Sequence, residues 1–231
     1  MKIGIYTDCH YSSAEVSCGR RYNNRSLAKI KEAYAAFERE GCALAVCLGD
    51  LIDTEVTVEL EVENLKKIAE VIAASGLPTI CLMGNHDAFV LEREDFYNTL
   101  GISDVDEMHI GGKRLIFLDA CYFKDGRHYA PGGGDWTDCF LPGEEDLAKR
   151  LRDGDEDTYV FIHQNIDPAV RGDHRLYNAD KIFGMICAQK SVREVFQGHY
   201  HPGLKSEYNG VKFNTLPAMC EIEGGFFIYE I

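Results

Sequence analysis

Five short apolar runs, each ending in residues able to bind metal, constrain this chain more than any other feature of its sequence. The runs are Lys2 to Thr7, Cys42 to Leu48, Thr79 to Met83, Thr158 to Ile162 and Val192 to Gln197. They lead into Asp8 and His10, Asp50, Asn85, His163, and finally His199 and His201. Each is rich in β-branched or aromatic residues and gives way to turn chemistry, the pattern of a buried strand. Open α/β sheets bind ligands outside the carboxyl ends of their strands, so five such ends can converge on one site despite their separation in sequence.

Between the first three runs the apolar period changes from two to 3.6. Leu27, Ile30, Tyr34 and Phe37 mark a helix over Ser26 to Glu40, with Ser26 as N-cap and Gly41 past its end. Val58, Val62, Leu65, Ile68 and Ile72 mark a second helix, stopped by Ser75-Gly76 ahead of Pro78. Strand, helix, strand, helix, strand implies parallel pairing with right-handed crossovers. The second half adds antiparallel elements: Gly111-Gly112 joins Asp104–Ile110 to Lys113–Ala120, and Asn209-Gly210 separates two further strand-like runs. Helices near Gly143–Arg152 and Asn178–Gln189 supply cover. The expected architecture is α/β, a four-layer sandwich of two mixed β-sheets flanked by helices. With 231 residues, 45% of them hydrophobic, one domain over 1–231 is expected.

The formal charge of -14 disfavours long nucleic acid, whose binding draws on Lys and Arg at phosphates. A small phosphorylated substrate held through metal stays compatible with it. Nine cysteines lack C-x-x-C spacing, which fits reduced thiols and a cytoplasmic location. The chain opens directly into a strand, without the pattern of a signal peptide, and its apolar stretches fall short of a membrane span.

Asp8 and His10 are two apart, so in an extended segment both side chains point to one side and can share a cation. His199 and His201 repeat that spacing, and Asp50, with two oxygens, can bridge two ions. Two Asp, one Asn and four His, with no cysteine, suit Mn, Fe, Zn or Co and argue against a structural thiolate zinc site. Two adjacent ions can activate a bridging water and clamp an in-line displacement at phosphorus.

Asp8-Cys9-His10, the G-D-x-x-D of Gly49 to Asp53, the G-N-H-D of Gly84 to Asp87, the lone His163 and the G-H-x-H of Gly198 to His201 resemble, in order and spacing, the calcineurin-like metallophosphoesterase superfamily. The resemblance implies one metal held by Asp8, His10, Asp50 and His201, and a second held by Asp50, Asn85, His163 and His199. It implies that His86 faces substrate, with Asp87 orienting its imidazole and Asp53 behind the ligands. The reaction implied is attack of a metal-bridged hydroxide on a small phosphomonoester, phosphodiester or nucleotide pyrophosphate, with manganese the expected ion in vitro. Arg21-Tyr22-Asn23-Asn24-Arg25-Ser26-Leu27 is similar to the segment before the first helix in manganese-dependent ADP-ribose/CDP-alcohol diphosphatases, which points to a nucleotide-like substrate. A nuclease, or a metal-bearing scaffold without turnover, are the alternatives.

Arg20, Arg21 and Tyr22 are candidate substrate contacts, although on an acidic protein the arginines can equally pair with surface carboxylates. His128, Tyr129 and Trp136 lie in the unassigned stretch Cys121 to Leu141, where they either line a lid over substrate or pin the loop to the body. Cys9, between the first two ligands, is the thiol expected to sit beside the metals. Glu59, Glu61 and Glu63 read as a solvated helix face.

Overall fold

In a computed structural model that describes residues 1–152, 156–170 and 172–231, the five runs form strands whose carboxyl ends meet. The first sheet contains β1 (Lys2–Tyr6), β2 (Leu44–Cys47), β3 (Thr79–Cys81) and β10 (Phe226–Glu230), in the order β10-β1-β2-β3. β1, β2 and β3 are parallel, and β10 closes the edge antiparallel to β1. The second sheet contains β4 (Glu107–Ile110), β5 (Lys113–Leu118), β6 (Asp157–Ile162), β7 (Val192–Gln197), β8 (Leu204–Tyr208) and β9 (Val211–Thr215). Its order is β4-β5-β6-β7-β9-β8, with β5, β6, β7 and β9 parallel and the two hairpins antiparallel at its edges.

Side-chain alternation builds the layers. Ile3 and Ile5 of β1, with Leu44 and Val46 of β2, pack against Leu115, Phe117, Tyr159, Phe161 and Phe196 of the second sheet. Phe161 stacks between Phe117 and Phe196, with ring centroids 5.1 Å apart on both sides. The opposite faces carry Tyr6, Ala45, Cys47, Ile116, Leu118, Val160 and Ile162 into the helical layers. Gly4 faces outward, where any Cβ would overlap the Phe37 ring, so its lack of a side chain lets the first helix lie flat on β1.

That helix, α1 (Ser26–Arg39), and α2 (Val58–Ser75) cover the first sheet. Arg25 occupies the N-cap and Ser26 is already helical, its hydroxyl donating to Cys9 O instead of capping the first turn. Glu61 is buried and accepts Glu55 N–H, so only Glu59 and Glu63 of that trio lie on a solvated face. Short α3 (Asn85–Val90) and α4 (Arg93–Leu100) follow β3. α5 (Glu144–Arg152) and α6 (Ala179–Cys187) bury Leu147, Leu151, Ile182 and Ile186 in the same outer core as the second sheet's outward residues. The architecture is the four-layer α/β sandwich expected. Among the described residues, no helix is long and apolar enough to cross a membrane.

Candidate metal centre

The carboxyl ends of β1, β2 and β3 face those of β6 and β7, and the loops leaving them are stitched together by backbone hydrogen bonds. Asp8 N donates to Gly49 O at 3.0 Å and His10 N to Asp50 O at 2.9 Å, while Gly198 N donates to His163 O at 2.9 Å. Asp8, His10, Asp50 and His199 all adopt left-handed backbone, with φ of 51°, 44°, 54° and 63°. This conformation is costly for residues with a Cβ and persists where surrounding contacts impose it, a pattern concentrated at functional sites. The D-x-H segment is therefore not extended as its spacing suggested; two left-handed residues turn both side chains inward. The loops approach closely at two glycines. A Cβ on Gly84 would collide with Asp50 Oδ1, and one on Gly198 with Thr7 Oγ1.

The seven candidate ligands come together in two groups that share Asp50. His10 Nε2 lies 3.2 Å from His201 Nε2, 3.8 Å from Asp8 Oδ1 and 3.6 Å from Asp50 Oδ2. Asp50 Oδ2 is also 3.2 Å from His163 Nε2, and Asp50, His163 and His199 place ligand atoms within 4.8 Å of one another. Asp8 Oδ1, Asn85 Oδ1, His163 Nε2 and His199 Nε2 are buried without hydrogen-bond partners. Four polar atoms stranded in one buried place would each cost stability unless a cation satisfies them. The donor set and its orphaned atoms fit two metal ions.

Neighbouring groups aim these atoms. His163 Nδ1 faces Leu48 O at 2.9 Å and His201 Nδ1 faces Glu221 Oε1 at 2.5 Å, which leaves Nε2 of each for the centre. Asp8 Oδ2 accepts from Thr7 Oγ1 at 2.6 Å and from His199 N at 3.0 Å, so Oδ1 is the oxygen turned inward. Asp50 Oδ1 accepts His86 N at 2.9 Å. Burial opposes the charge on Asp50, yet His163, His86 and His10 hold its carboxyl well below the usual range.

His86 stands edge-on to His10, ring centroids 4.5 Å apart, at the rim of the cleft. The carboxylate on its ring is Asp53, with Oδ1 3.1 Å from Nδ1. Asp87, expected to orient that imidazole, instead accepts Leu51 N, Ile52 N and Gly84 N at 2.9, 3.2 and 3.0 Å. Its position in the first turn of α3 turns it down toward the β2 loop and away from the ring. Burial opposes the His86 charge, and the Asp50 and Asp53 carboxylates outweigh it, so its pKa is raised.

A match to the calcineurin-like phosphoesterase family spans residues 1–203. The chain belongs to that family. This calcineurin-like phosphoesterase is 26% identical over 181 residues to the 3',5'-cyclic adenosine monophosphate phosphodiesterase CpdA of Escherichia coli (strain K12), covering 77% of this chain and 61% of that relative. It is 22% identical over 227 residues to a probable cyclic nucleotide phosphodiesterase of Psychrobacter arcticus, covering 93% of this chain and 78% of the other. A dimetal phosphatase from Danio rerio shares its fold with a TM-score of 0.84 at 18% identity, over 98% and 91% of the two chains.

The remaining sequence candidates divide. Arg20 and Arg21 border the cleft, but Arg20 Nε pairs with Glu221 at 3.0 Å and Arg21 with Asp53 at 3.3 Å, so both face carboxylates as well as the cavity. Tyr22 sits under the Arg25 guanidinium, 4.7 Å from its ring centroid, outside the residues bordering that cleft. His128 is engaged within its own surroundings, with Nε2 2.9 Å from Asp119 Oδ2 and Nδ1 2.8 Å from Tyr129 O, and it borders neither cavity at His86. Tyr129 is buried and donates to Asp135 O at 2.8 Å, pinning the 121–141 segment while forming a cavity wall.

Sequence reasoning missed Glu221, His174 and Cys220, and it quoted Asn23 within a motif without giving it a role of its own. Asn23 Nδ2 donates to His10 O at 2.7 Å and to Asp53 at 3.0 Å, and His174 sits 5.8 Å from His199 in the cleft wall. Cys220, not Cys9, is the thiol beside the ligands: its sulfur and the His10 and His201 nitrogens lie within 4.8 Å of one another. Cys9 instead turns into the core, its thiol 3.6 Å from Met219 Sδ.

Proposed function

We propose that this protein is a dinuclear metal-dependent phosphoesterase that hydrolyses a small phosphoester, with a phosphodiester or pyrophosphate as its substrate class. The observation that carries this reading is Asp50 Oδ2, placed between two nitrogen-and-oxygen donor groups with His86 beside it. Asp8, His10, Asp50 and His201 would hold one ion, and Asp50, Asn85, His163 and His199 the other. Mixed donors of this kind suit Mn, Fe, Zn or Co, with manganese the first choice for assay. Ions bound there supply Lewis acidity toward phosphoryl oxygens and acidify water.

The chain's own groups complete the chemistry. Asp53 engages His86 Nδ1, which leaves Nε2 to donate a proton toward a phosphoryl or leaving oxygen. The Asp50 and Asp53 carboxylates raise the imidazole pKa, which favours its holding that proton. Asp87 holds the turn that presents Asn85 and His86. Arg21, fixed on Asp53, adds positive charge to the cleft wall. The CpdA relative is named for cyclic AMP hydrolysis, which supports including cyclic nucleotides among the substrates. The charge of -14 speaks against long nucleic acid.

The deciding experiment strips metal from the protein, refills it with manganese, and measures hydrolysis of an aryl phosphomonoester, an aryl phosphodiester, cyclic AMP and a panel of nucleoside diphosphate derivatives. Metal-dependent turnover of a diester or pyrophosphate is expected. Stoichiometric metal with no turnover on any of them would favour a scaffold over an enzyme.

A further inference from the structure

Two cavities meet at His86. The larger, about 490 Å³, is bordered by Arg20, Arg21, Asp50, His174 and His201. The smaller, about 330 Å³, is bordered by Thr54, Phe89, Tyr129, Asp135 and Trp136. Asn85, His86 and Trp136 border both, so the smaller cavity is continuous with the candidate metal centre.

The smaller cavity has an unusual wall. Phe89 is 46% exposed and Trp136 44% exposed, a large apolar surface left open beside a polar centre. Pinning the loop does not account for it, because Tyr129, buried in the outer core, already anchors the loop to the body. The two rings are nonetheless held in place. Gly132 N donates to Phe89 O at 2.8 Å, tying the loop to the end of α3. A Cβ on Gly134 would overlap the Tyr129 ring, so the backbone just before Trp136 packs directly on that ring. Trp136 also contacts His174 and His199, centroids 5.1 and 5.9 Å away. Open aromatic surface fixed before ligand arrives is what a stacking subsite requires.

We propose that this cavity is a subsite for a planar aromatic ring carried by one of the groups on phosphorus, with Phe89 and Trp136 as its specificity-determining side chains. The proposal rests on the phosphoesterase reading of the adjacent centre. Aromatic walls with the polar residues Thr54 and Asp135 at the border, the latter's Oδ1 already accepting from Thr137, suit a nucleobase, which has apolar faces and a hydrogen-bonding edge, better than an alkyl chain. An ester with a ring at one end and charge at the other would occupy both cavities, its charged end toward Arg20 and Arg21.

Trp136 is the only tryptophan in the chain, so its emission reports on this cavity. The experiment titrates zinc-loaded protein with AMP, with ribose 5-phosphate and with inorganic phosphate, reading tryptophan fluorescence and, for Phe89→Ala and Trp136→Leu, calorimetric Kd. AMP should bind more tightly than ribose 5-phosphate and alone quench Trp136. Each substitution should weaken AMP about tenfold, in line with the loss of one stacked ring, and leave ribose 5-phosphate unchanged. Equal Kd for AMP and ribose 5-phosphate, or substitutions that shift both alike, would overturn the subsite while leaving the phosphoesterase reading intact. Failure of all three probes to bind in a metal-dependent way would overturn both.

Discussion

His86 and Asp87 are adjacent in sequence but answer to different partners, and substitutions should separate them. His86→Ala removes the group facing the cleft and should lower kcat about a hundredfold or more, while metal content measured by elemental analysis stays unchanged. Asp53→Asn should reproduce part of that loss, because Asp53 is the carboxylate on the ring. Asp87→Ala instead leaves three buried backbone N–H groups without an acceptor. It should cost about 3 kcal/mol or more in chemical denaturation of the metal-free protein. The candidate ligands were legible because each closes an apolar run at a turn. Asp53 lies behind ligand His10 as expected and also takes the orienting role expected of Asp87, because spacing along a chain does not report which carboxylate a turn lifts toward a ring. Glu221 and Cys220 stayed hidden for another reason: they follow the last run without a motif, and only the pairing of Met219 and Cys220 with Thr7 and Asp8 brings them in.

At the scale of elements, apolar period placed the ligand-bearing strands and the long helices to within a few residues, since burial on one or both faces dictates it, but the edge strand β10 went unread. The short α3 and α4 escaped because a single turn or two carries too little periodicity to stand out. Left-handed ligand residues escaped too, being imposed by contacts between loops from different strands. Gly84→Ala tests that close approach: its Cβ would displace the Asp50 carboxylate, so the variant should retain fewer ions per chain after desalting than the parent, with its far-ultraviolet dichroism preserved. The 121–141 segment carries a pH-dependent element of its own. His128 faces a carboxylate and a carbonyl, which requires protons on both ring nitrogens. Burial opposes that charge, and Asp119 outweighs it, raising the pKa above 6.5. A raised folded-state pKa contributes stability in full below the unfolded value and loses it as pH climbs through the folded one. The Tm gap between parent and His128→Gln, measured without metal, should therefore be widest just below pH 6.5 and narrow in mild alkali; a gap that widens with alkali would contradict this pairing.

For the whole molecule, metal should be worth as much to stability as to chemistry. A ligand that binds only the native state stabilises it according to its concentration over Kd. Chelation followed by dialysis should lower Tm by several degrees, with manganese restoring it and magnesium, a poorer match to four imidazoles, restoring less. The architecture itself was legible because strand–helix alternation followed by hairpins admits few topologies.

Three of the strand ends that supply ligands belong to one sheet and two to the other. Two metal ions seated among them would therefore act as a rivet through the sandwich, reinforcing the apolar inner core and the few hydrogen bonds, such as His199 N to Asp8, that already join the layers at this end. Because its grips lie at residues 8 and 201, the rivet ties together segments almost 200 residues apart in sequence. Metal availability would then set when the two halves of the sandwich lock, making loading part of maturation as well as a prerequisite for turnover.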